Sequence, residues 1–271
     1  MALGIIVCGV GGRMGGAVVR AIRQTPDVEL IAAVDKPGSA RIDKDAGAVA
    51  GSEEMGVPIT SNLLPALKRN RVIIDFTRPE ASLEFLGTAA QTRTPMVIAT
   101  TGFTASQQTE IKRLARRTPT LLSANTSLGL NVLVSLVADA AKRLGDGYDV
   151  EIIEAHHRFK KDAPSGTALA LGQSAANALG RDLGKVMVNG RKGIVGERRK
   201  KEVALLSVRA GDIVGEHTVI FGGIGERLEL IHRAHSRDTF ARGALRAAKW
   251  LAKKQPGLYD MRDVLGLPQN R

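Results

Sequence analysis

The densest chemistry in the sequence lies in residues 154–167, Glu-Ala-His-His-Arg-Phe-Lys-Lys-Asp-Ala-Pro-Ser-Gly-Thr. Two adjacent imidazoles, His156 and His157, precede the ammonium of Lys160 and a Pro-Ser-Gly-Thr helix start. A histidine gives or takes a proton near neutral pH. The unsatisfied N–H groups of a first helical turn, with the hydroxyls of Ser165 and Thr167 and the bare backbone of Gly166, suit a carboxylate. The pattern points to proton transfer on a carboxylate-bearing substrate, with Lys160 adding positive charge. A metal site competes, because all five histidines (156, 157, 217, 232 and 235) fall in this half of the chain. Neighbouring residues on a strand point to opposite faces, and no nearby Cys or carboxylate completes a ligand set at the usual spacing. No metal is therefore expected.

A second constellation opens the chain. Gly9-Val-Gly-Gly-Arg-Met-Gly15 departs from the strict dinucleotide pattern at Met14, but Gly9, Gly12 and Gly15 fit its variant. Such glycines permit a tight turn and let backbone N–H groups reach a pyrophosphate at a helix N-terminus. Asp35 follows Gly15 by about 20 residues, the spacing at which a carboxylate meets the adenosine ribose. Lys36 stands beside it for a 2′-phosphate, so both NADH and NADPH are expected as cofactors. Ala99-Thr-Thr-Gly-Phe103 and Ser123-Ala-Asn-Thr-Ser127 fall at carboxyl ends of expected strands, where open α/β sheets bind ligands. Taken alone, turn chemistry explains those two slightly better. The run Arg198-Arg-Lys-Lys201 reads as a solvated loop.

The elements that must position these residues alternate. Residues 4–9 form an apolar run suited to a buried parallel strand. Met14, Val18, Ala21 and Ile22 recur at helical spacing before a stop at 25–27, and 28–34 is a second strand ending at Asp35. Strands at 71–75, 95–100 and 118–124 alternate with a helix at 79–90 and one opened by the Thr104/Gln107 capping box. The fold class expected is α/β: an N-terminal Rossmann-like doubly wound parallel sheet, followed by a smaller α+β domain. In the second domain the expected elements are a helix at 132–144, a strand at 150–155 and a helix at 164–179. Strands at 203–209, 213–221 and 227–233 follow, read as an antiparallel meander in a mostly antiparallel sheet. A last helix starts near 238. The domains expected are 1–127, completed by 237–271, for the dinucleotide, and 128–236 for substrate and oligomerisation. Residues 181–202 read as a mobile, glycine-rich basic loop.

Composition bounds the function. The 271 residues are 44% hydrophobic and 24% charged, which argues against disorder. No stretch approaches about 18 unbroken apolar residues, so no membrane span is expected. The first ten residues carry no basic leader, so no secretory signal is expected either. A single cysteine, Cys8, excludes an internal disulfide and suits a reducing cytoplasm. Thirty-nine basic against 27 acidic residues give +12, which suggests anionic partners: nucleic acid, acidic lipid, or small phosphorylated or carboxylated ligands. Aromatics at 3% weigh against base stacking.

The block around 154–169 closely resembles the signature of the 4-hydroxy-tetrahydrodipicolinate (dihydrodipicolinate) reductase family, of the diaminopimelate route to lysine. Gly9-Val-Gly-Gly-Arg-Met-Gly15, Asp75-Phe-Thr-Arg-Pro79, Thr100-Thr-Gly-Phe103, Asn131-Val, Arg191-Lys-Gly, Gly196-Glu-Arg198 and Val208-Arg-Ala-Gly-Asp through His217 extend the resemblance over nearly the whole chain. It implies reduction of a cyclic imine to tetrahydrodipicolinate, with hydride delivered to C4 by NADPH or NADH. It implies cofactor contacts at Gly9, Val10, Gly11, Gly12, Arg13, Met14, Asp35, Lys36, Ala99, Thr100, Thr101, Ser123, Ala124, Asn125 and Thr126. His156 would be the proton donor and Lys160 the second catalytic residue. His157, Lys160, Ser165, Gly166 and Thr167 would hold the substrate's carboxylates. A cytoplasmic homotetramer, with no nucleic acid or membrane partner, completes the expectation. The sequence departs from the family's usual residues at Ala99 (Gly), Thr126 (aromatic) and Asp35-Lys36 (Glu-Arg). Two other classes stay in view: another Rossmann-type small-molecule dehydrogenase, and a basic nucleic-acid-binding protein. A semialdehyde dehydrogenase is excluded, because its cysteine nucleophile lies in mid-chain and Cys8 lies in the first strand.

Overall fold

A computed structural model describes residues 2–268; Met1 and 269–271, the outermost residues of the expected first domain, lie outside the described residues. In chain order the elements are β1 (Leu3–Cys8), α1 (Arg13–Arg23), β2 (Val28–Val34), α2 (Ala46–Val49), β3 (Ile59–Thr60), β4 (Arg71–Asp75), α3 (Pro79–Thr92), β5 (Met96–Ile98), α4 (Ala105–Ala115) and β6 (Pro119–Leu122). They continue with α5 (Leu128–Leu144), β7 (Asp149–His156), α6 (Gly166–Ala178), α7 (Leu183–Val186), β8 (Met187–Val188), β9 (Val203–Arg209), β10 (Gly215–Gly222) and β11 (Arg227–Ala234). The last are α8 (Asp238–Leu251), β12 (Gly257–Tyr259) and α9 (Met261–Leu265). The chain divides into two compact units, 1–128 with 237–271, and 129–236.

The first unit holds a seven-stranded sheet, ordered β12-β6-β5-β4-β1-β2-β3, in which every pairing is parallel. Alternation along β1 shows why it is doubly wound. Ile5 and Val7 enter one core with α1 and α8, whereas Ile6 and Cys8 enter another with α3 and α4. All four are fully buried, so both faces need a helical cover. Residues 238–251 supply part of that cover through Ala241, Ala244, Leu245, Ala248 and Leu251.

The second unit holds a five-stranded mixed sheet, ordered β11-β10-β7-β9-β8. The expected meander of three consecutive strands is not formed. Here β9 pairs in parallel with β7, and β10 pairs antiparallel with β7 and β11, so β7 lies between β9 and β10. The cause is packing. Val150 and Ile152 of β7 lie between Val203 and Leu205 of β9 and Val219 and Phe221 of β10, so the three strands bury one continuous apolar inner face. Residues from α5 and α6, including Leu133, Val137, Leu171 and Ala175, cover that inner face. Residues 181–202 also differ from the mobile loop expected. They contain α7 and β8, and Arg181, whose guanidinium is buried, pairs with Asp146 at 2.6 Å. Arg198 bonds Asp149 and Glu151, and Arg191 bonds Glu151 with both terminal nitrogens.

Candidate active site

In the first unit, the loop after β1 runs into α1. Gly9 sits at φ +78°, a left-handed conformation that favours glycine. A Cβ on Gly15 would lie 2.2 Å from the Gly9 carbonyl oxygen, so only glycine lets the helix start this close to the turn. The N-cap of α1 is Gly12, which provides no side-chain cap, and the first turn carries no acidic residue. The N–H groups of that first turn are suited to an anion and have no carboxylate of their own turn competing for them. A Cβ on Gly11 would lie 2.5 Å from Asp35 Oδ2 and 2.9 Å from Arg41 Nη1. Close turns of this kind at a helix start are of the type that can hold a dinucleotide's pyrophosphate.

Asp35, just beyond β2, is held by its own loop. Its Oδ1 accepts from the Lys36 N–H at 2.9 Å and its Oδ2 from the Ser39 hydroxyl at 2.8 Å. The Arg41 guanidinium approaches Oδ2 to 4.0 Å. Sequence reasoning stopped at Asp35 and Lys36 and missed Ser39 and Arg41. The signal was a hydroxyl and a cation within six residues of the acid, but only the folded loop brings them to the carboxylate. Lys36 and Arg13 are exposed.

The other residues expected at the cofactor divide by what their side chains touch. Ala99 and Thr100 are buried behind β5. The Thr100 hydroxyl donates to Asp75 Oδ2 at 3.2 Å, and Asp75 also accepts from Ser82 and Thr77. Burial raises the Asp75 pKa, and these hydrogen bonds only partly offset it. The network ties the ends of β4 and β5 together, and Thr77 Cγ2 would meet a Cβ on Gly9 at 2.8 Å. Thr101 is exposed. The Ser123 hydroxyl donates to the Asn125 carbonyl at 2.8 Å, and Asn125 Oδ1 accepts from the Ser127 N–H. Thr126 is 1% exposed, and its hydroxyl donates to the Phe240 carbonyl at 2.7 Å.

In the second unit, the even-numbered residues at the end of β7 face inward. Glu154 is fully buried there. Arg209 grips it with two parallel bonds, Nη1 to Oε2 at 2.8 Å and Nη2 to Oε1 at 2.7 Å. His156 Nδ1 lies 2.5 Å from Oε2, and the Ser165 N–H donates to Oε1 at 3.1 Å. Burial pushes the Glu154 carboxyl up, but bonds from Arg209, Ser207 and His156 outweigh it and hold its pKa down to about 2. An ionised Glu154 fixes Nδ1 as the protonated nitrogen of His156 and leaves Nε2 for chemistry. No described residue hydrogen-bonds Nε2, and Gly215 keeps space beside it, since a Cβ there would lie 3.1 Å away. Burial lowers the His156 pKa; Glu154 pulls it up, and Lys160 and Arg209 push it down, with a net lowering.

Around this centre, Ser165 caps α6 by accepting from the Ala168 N–H at 3.1 Å, and Gly166 and Thr167 form the first turn. His217 lies 3.3 Å from the Ser165 hydroxyl and edge-on to His156 at 5.2 Å between ring centroids. Burial, then the neighbouring His156, drives its pKa down to about 3. Lys160 Nζ bonds both Asp162 oxygens at 2.8 and 2.9 Å. The Nδ1 of His157 is buried with no hydrogen-bond partner. Sheet register brings Glu154 opposite His217 and His156 opposite Arg209. Arg209 and His217 had no assigned role in the sequence reading, because their signal is long-range pairing. Among the described residues, no group of three or more His, Cys, Asp or Glu is placed to hold a metal ion. No described helix is long and apolar enough to cross a membrane.

Comparison with known proteins follows this division. A family model described as dihydrodipicolinate reductase, N-terminus, matches residues 3–126, and one described as dihydrodipicolinate reductase, C-terminus, matches 129–265. The 4-hydroxy-tetrahydrodipicolinate reductase of Syntrophus aciditrophicus is 52% identical over 96% of this chain and 97% of its own. That of Thiobacillus denitrificans is 51% identical over 98% of this chain and 100% of its own. Among solved structures, a dipicolinate-bound dihydrodipicolinate reductase from Paenisporosarcina sp. TG-14 superposes with a TM-score of 0.75 at 25% identity, covering 96% of this chain and 98% of that one.

Proposed function

The chain belongs to the dihydrodipicolinate reductase family, and from that premise we propose how its own residues divide the work of the reaction. The activity is NAD(P)H-dependent reduction of the type named 4-hydroxy-tetrahydrodipicolinate reductase, in lysine and diaminopimelate biosynthesis. The observation that carries the residue assignment is the Glu154–Arg209–His156 cluster. It holds an imidazole by one nitrogen beside the capped start of α6.

The cofactor is held by the first unit. The backbone at Gly9, Val10, Gly11, Gly12, Arg13 and Met14 receives the pyrophosphate, and Asp35 the adenosine ribose. Ala99, Thr100, Thr101, Ser123, Ala124, Asn125 and Thr126 shape the nicotinamide end, Thr100 and Thr126 through their backbone. Lys36 and Arg41 meet a 2′-phosphate, so both NADPH and NADH are accepted. When bound, the reduced nicotinamide supplies the hydride, which goes to C4 of the cyclic imine.

The substrate's carboxylates are held by the second unit. His157, whose Nδ1 lacks a partner, joins Lys160, Ser165 and the N–H groups of Gly166 and Thr167 on them. Lys160 leaves Asp162 to do so. As negative charge develops toward the α-carbon and ring nitrogen, His156 delivers a proton from Nε2. Glu154 stabilises the ring while it carries two protons. A dicarboxylate also favours the charged imidazole, which offsets the lowering of its pKa by burial. Steady-state kinetics of His156→Gln and Lys160→Met test this. Each is expected to lower kcat by about 10²-fold or more with the fold intact. Near-wild-type turnover in either variant overturns its assignment.

We also propose a cytoplasmic homotetramer, assembled through the outer face of the second sheet. The inner face has its helices; the outer face presents Ile153, Val208 and Ile231, each 37–45% exposed, to a second copy.

A further inference from the structure

The catalytic assignment absorbs only a few of the chain's excess cations. Six others converge at the far end of the first sheet. There, at the N-terminal ends of β5, β6 and β12, lies a cavity of about 580 Å³, floored by Pro95, Pro119 and Pro256. The cofactor loop follows the carboxyl end of β1, so this cavity lies at the opposite end of the strands. Arg69, Arg93, Arg116, Arg117, Lys253 and Lys254 line it, and no carboxylate does.

We propose that this cavity is a binding site for a compact oligophosphate, recognised through its phosphate chain. Complementing helix ends does not account for the charge. Arg93, Arg116 and Lys253 stand at or just past the ends of α3, α4 and α8, where a cation is favourable, but each end carries only about half a negative charge. Six full charges far exceed that. Nor is pairing the local habit left incomplete by chance. On the same helices, Arg113 pairs with Glu110 and Lys249 with Asp27, each at 2.6 Å, whereas the six lining cations have no carboxylate partner among the described residues. Arg93 adds a separate observation. It holds a left-handed conformation, φ +54°, at a helix end where glycine is the favoured residue. The size lies within the ordinary range for small-molecule sites, about 300–1,000 Å³. No aromatic side chain lines it, so there is no platform for a base, and the phosphates carry recognition.

The chain provides its own reporter. Its single tryptophan, Trp250, is covered by Lys254, whose Nζ lies 4.2 Å from the ring centroid. Drawing that ammonium onto an anion removes a cation–π contact and changes the Trp250 emission. The experiment titrates sodium tripolyphosphate, without divalent cations, into the full-length protein with saturating NADP⁺ blocking the cofactor site. Calorimetry and Trp250 fluorescence are followed together. One equivalent per chain is expected, weakened by salt because exposed charges are screened. ATP and GTP should bind within a few-fold of tripolyphosphate. Arg116→Glu/Arg117→Glu should weaken binding about tenfold or more, while Arg113→Glu, outside the lining, should not. The neutral pair Arg116→Gln/Arg117→Gln should fall between, with thermal melting and reductase turnover of all variants like wild type. Absence of saturable binding at millimolar tripolyphosphate overturns the proposal, as does full binding by the charge-reversed pair. ATP binding without tripolyphosphate binding, or retention on duplex DNA that tripolyphosphate does not displace, also overturns it.

Discussion

At the scale of single residues, Glu154 determines what its neighbours can do. Its carboxylate accepts from Arg209, His156 and the Ser165 backbone at once, so it orients the His156 ring, anchors the helix start and stays ionised. Because the proton donor must be charged, kcat/KM should fall as pH rises through the His156 pKa, and His156→Gln should flatten that limb. A pH profile unchanged in the variant sinks the donor role. Arg41 is the residue where the folded loop adds most to the motif. Its guanidinium is beside Asp35, so Arg41→Ala should raise the KM for NADPH about tenfold and leave that for NADH nearly unchanged. Equal effects on both cofactors would assign Arg41 to loop packing instead. The glycine spacing and Asp35 were legible because a strand–turn–helix fixes them within one local unit. Arg41 was not, because six residues of irregular loop carry no period.

At the scale of elements, local pattern placed helices and strands well, and pairing across the chain was the part it could not carry. The capping box at Thr104/Gln107 is formed as read, and the Ser165 cap starts α6 two residues later than Pro164. The meander failed because alternation specifies which face a strand buries, not which strand lies beside it. The same limit hid His217, which is set beside His156 by the β7–β10 register. Its pKa is about 3 in the folded chain against 6.5 in the unfolded one. Between those values only the unfolded chain takes up the proton, so stability is complete above about pH 6.5 and falls as pH drops toward 3. Each pKa unit is worth about 1.4 kcal/mol, so the loss amounts to several kcal/mol. Urea unfolding at pH 8 and pH 4.5 should show a steeper loss for wild type than for His217→Gln; parallel losses would remove His217 from the account. A second element-level dependence runs through Gly243 in α8. A Cβ there would lie 1.7 Å from the Thr126 carbonyl oxygen, against a loop assigned to the cofactor. Gly243→Ala should therefore destabilise the first unit by about 2 kcal/mol or more, read as a lowered melting temperature, whereas Gly87→Ala, with open space around it, should not.

At the scale of the whole molecule, the second unit is helix-covered on one side only. Register places Leu206, Ile153, Thr218 and Ile231 in one row across β9, β7, β10 and β11, on the face away from α5 and α6. Glu151, Ile220 and Glu229 form the next row, so the outer face mixes apolar and charged side chains. An antiparallel sheet can leave such a face in water when it is polar. Ile153, Val208 and Ile231, each 37–45% exposed on this one face, are an unusual concentration of β-branched side chains for a surface that stays solvated. In the proposed assembly a second copy offers the matching row, because a two-fold interface is self-complementary. Charge placed at the centre of such a row must be desolvated on association, so one substitution per chain acts twice at each interface. Ile153→Arg with Ile231→Arg should therefore reduce the mass in sedimentation equilibrium from four chains toward two or one, with circular dichroism retained. Leu64→Arg, at an exposed leucine of the first unit, should leave the mass unchanged. A tetramer that survives both outer-face arginines would place the interface elsewhere on the molecule.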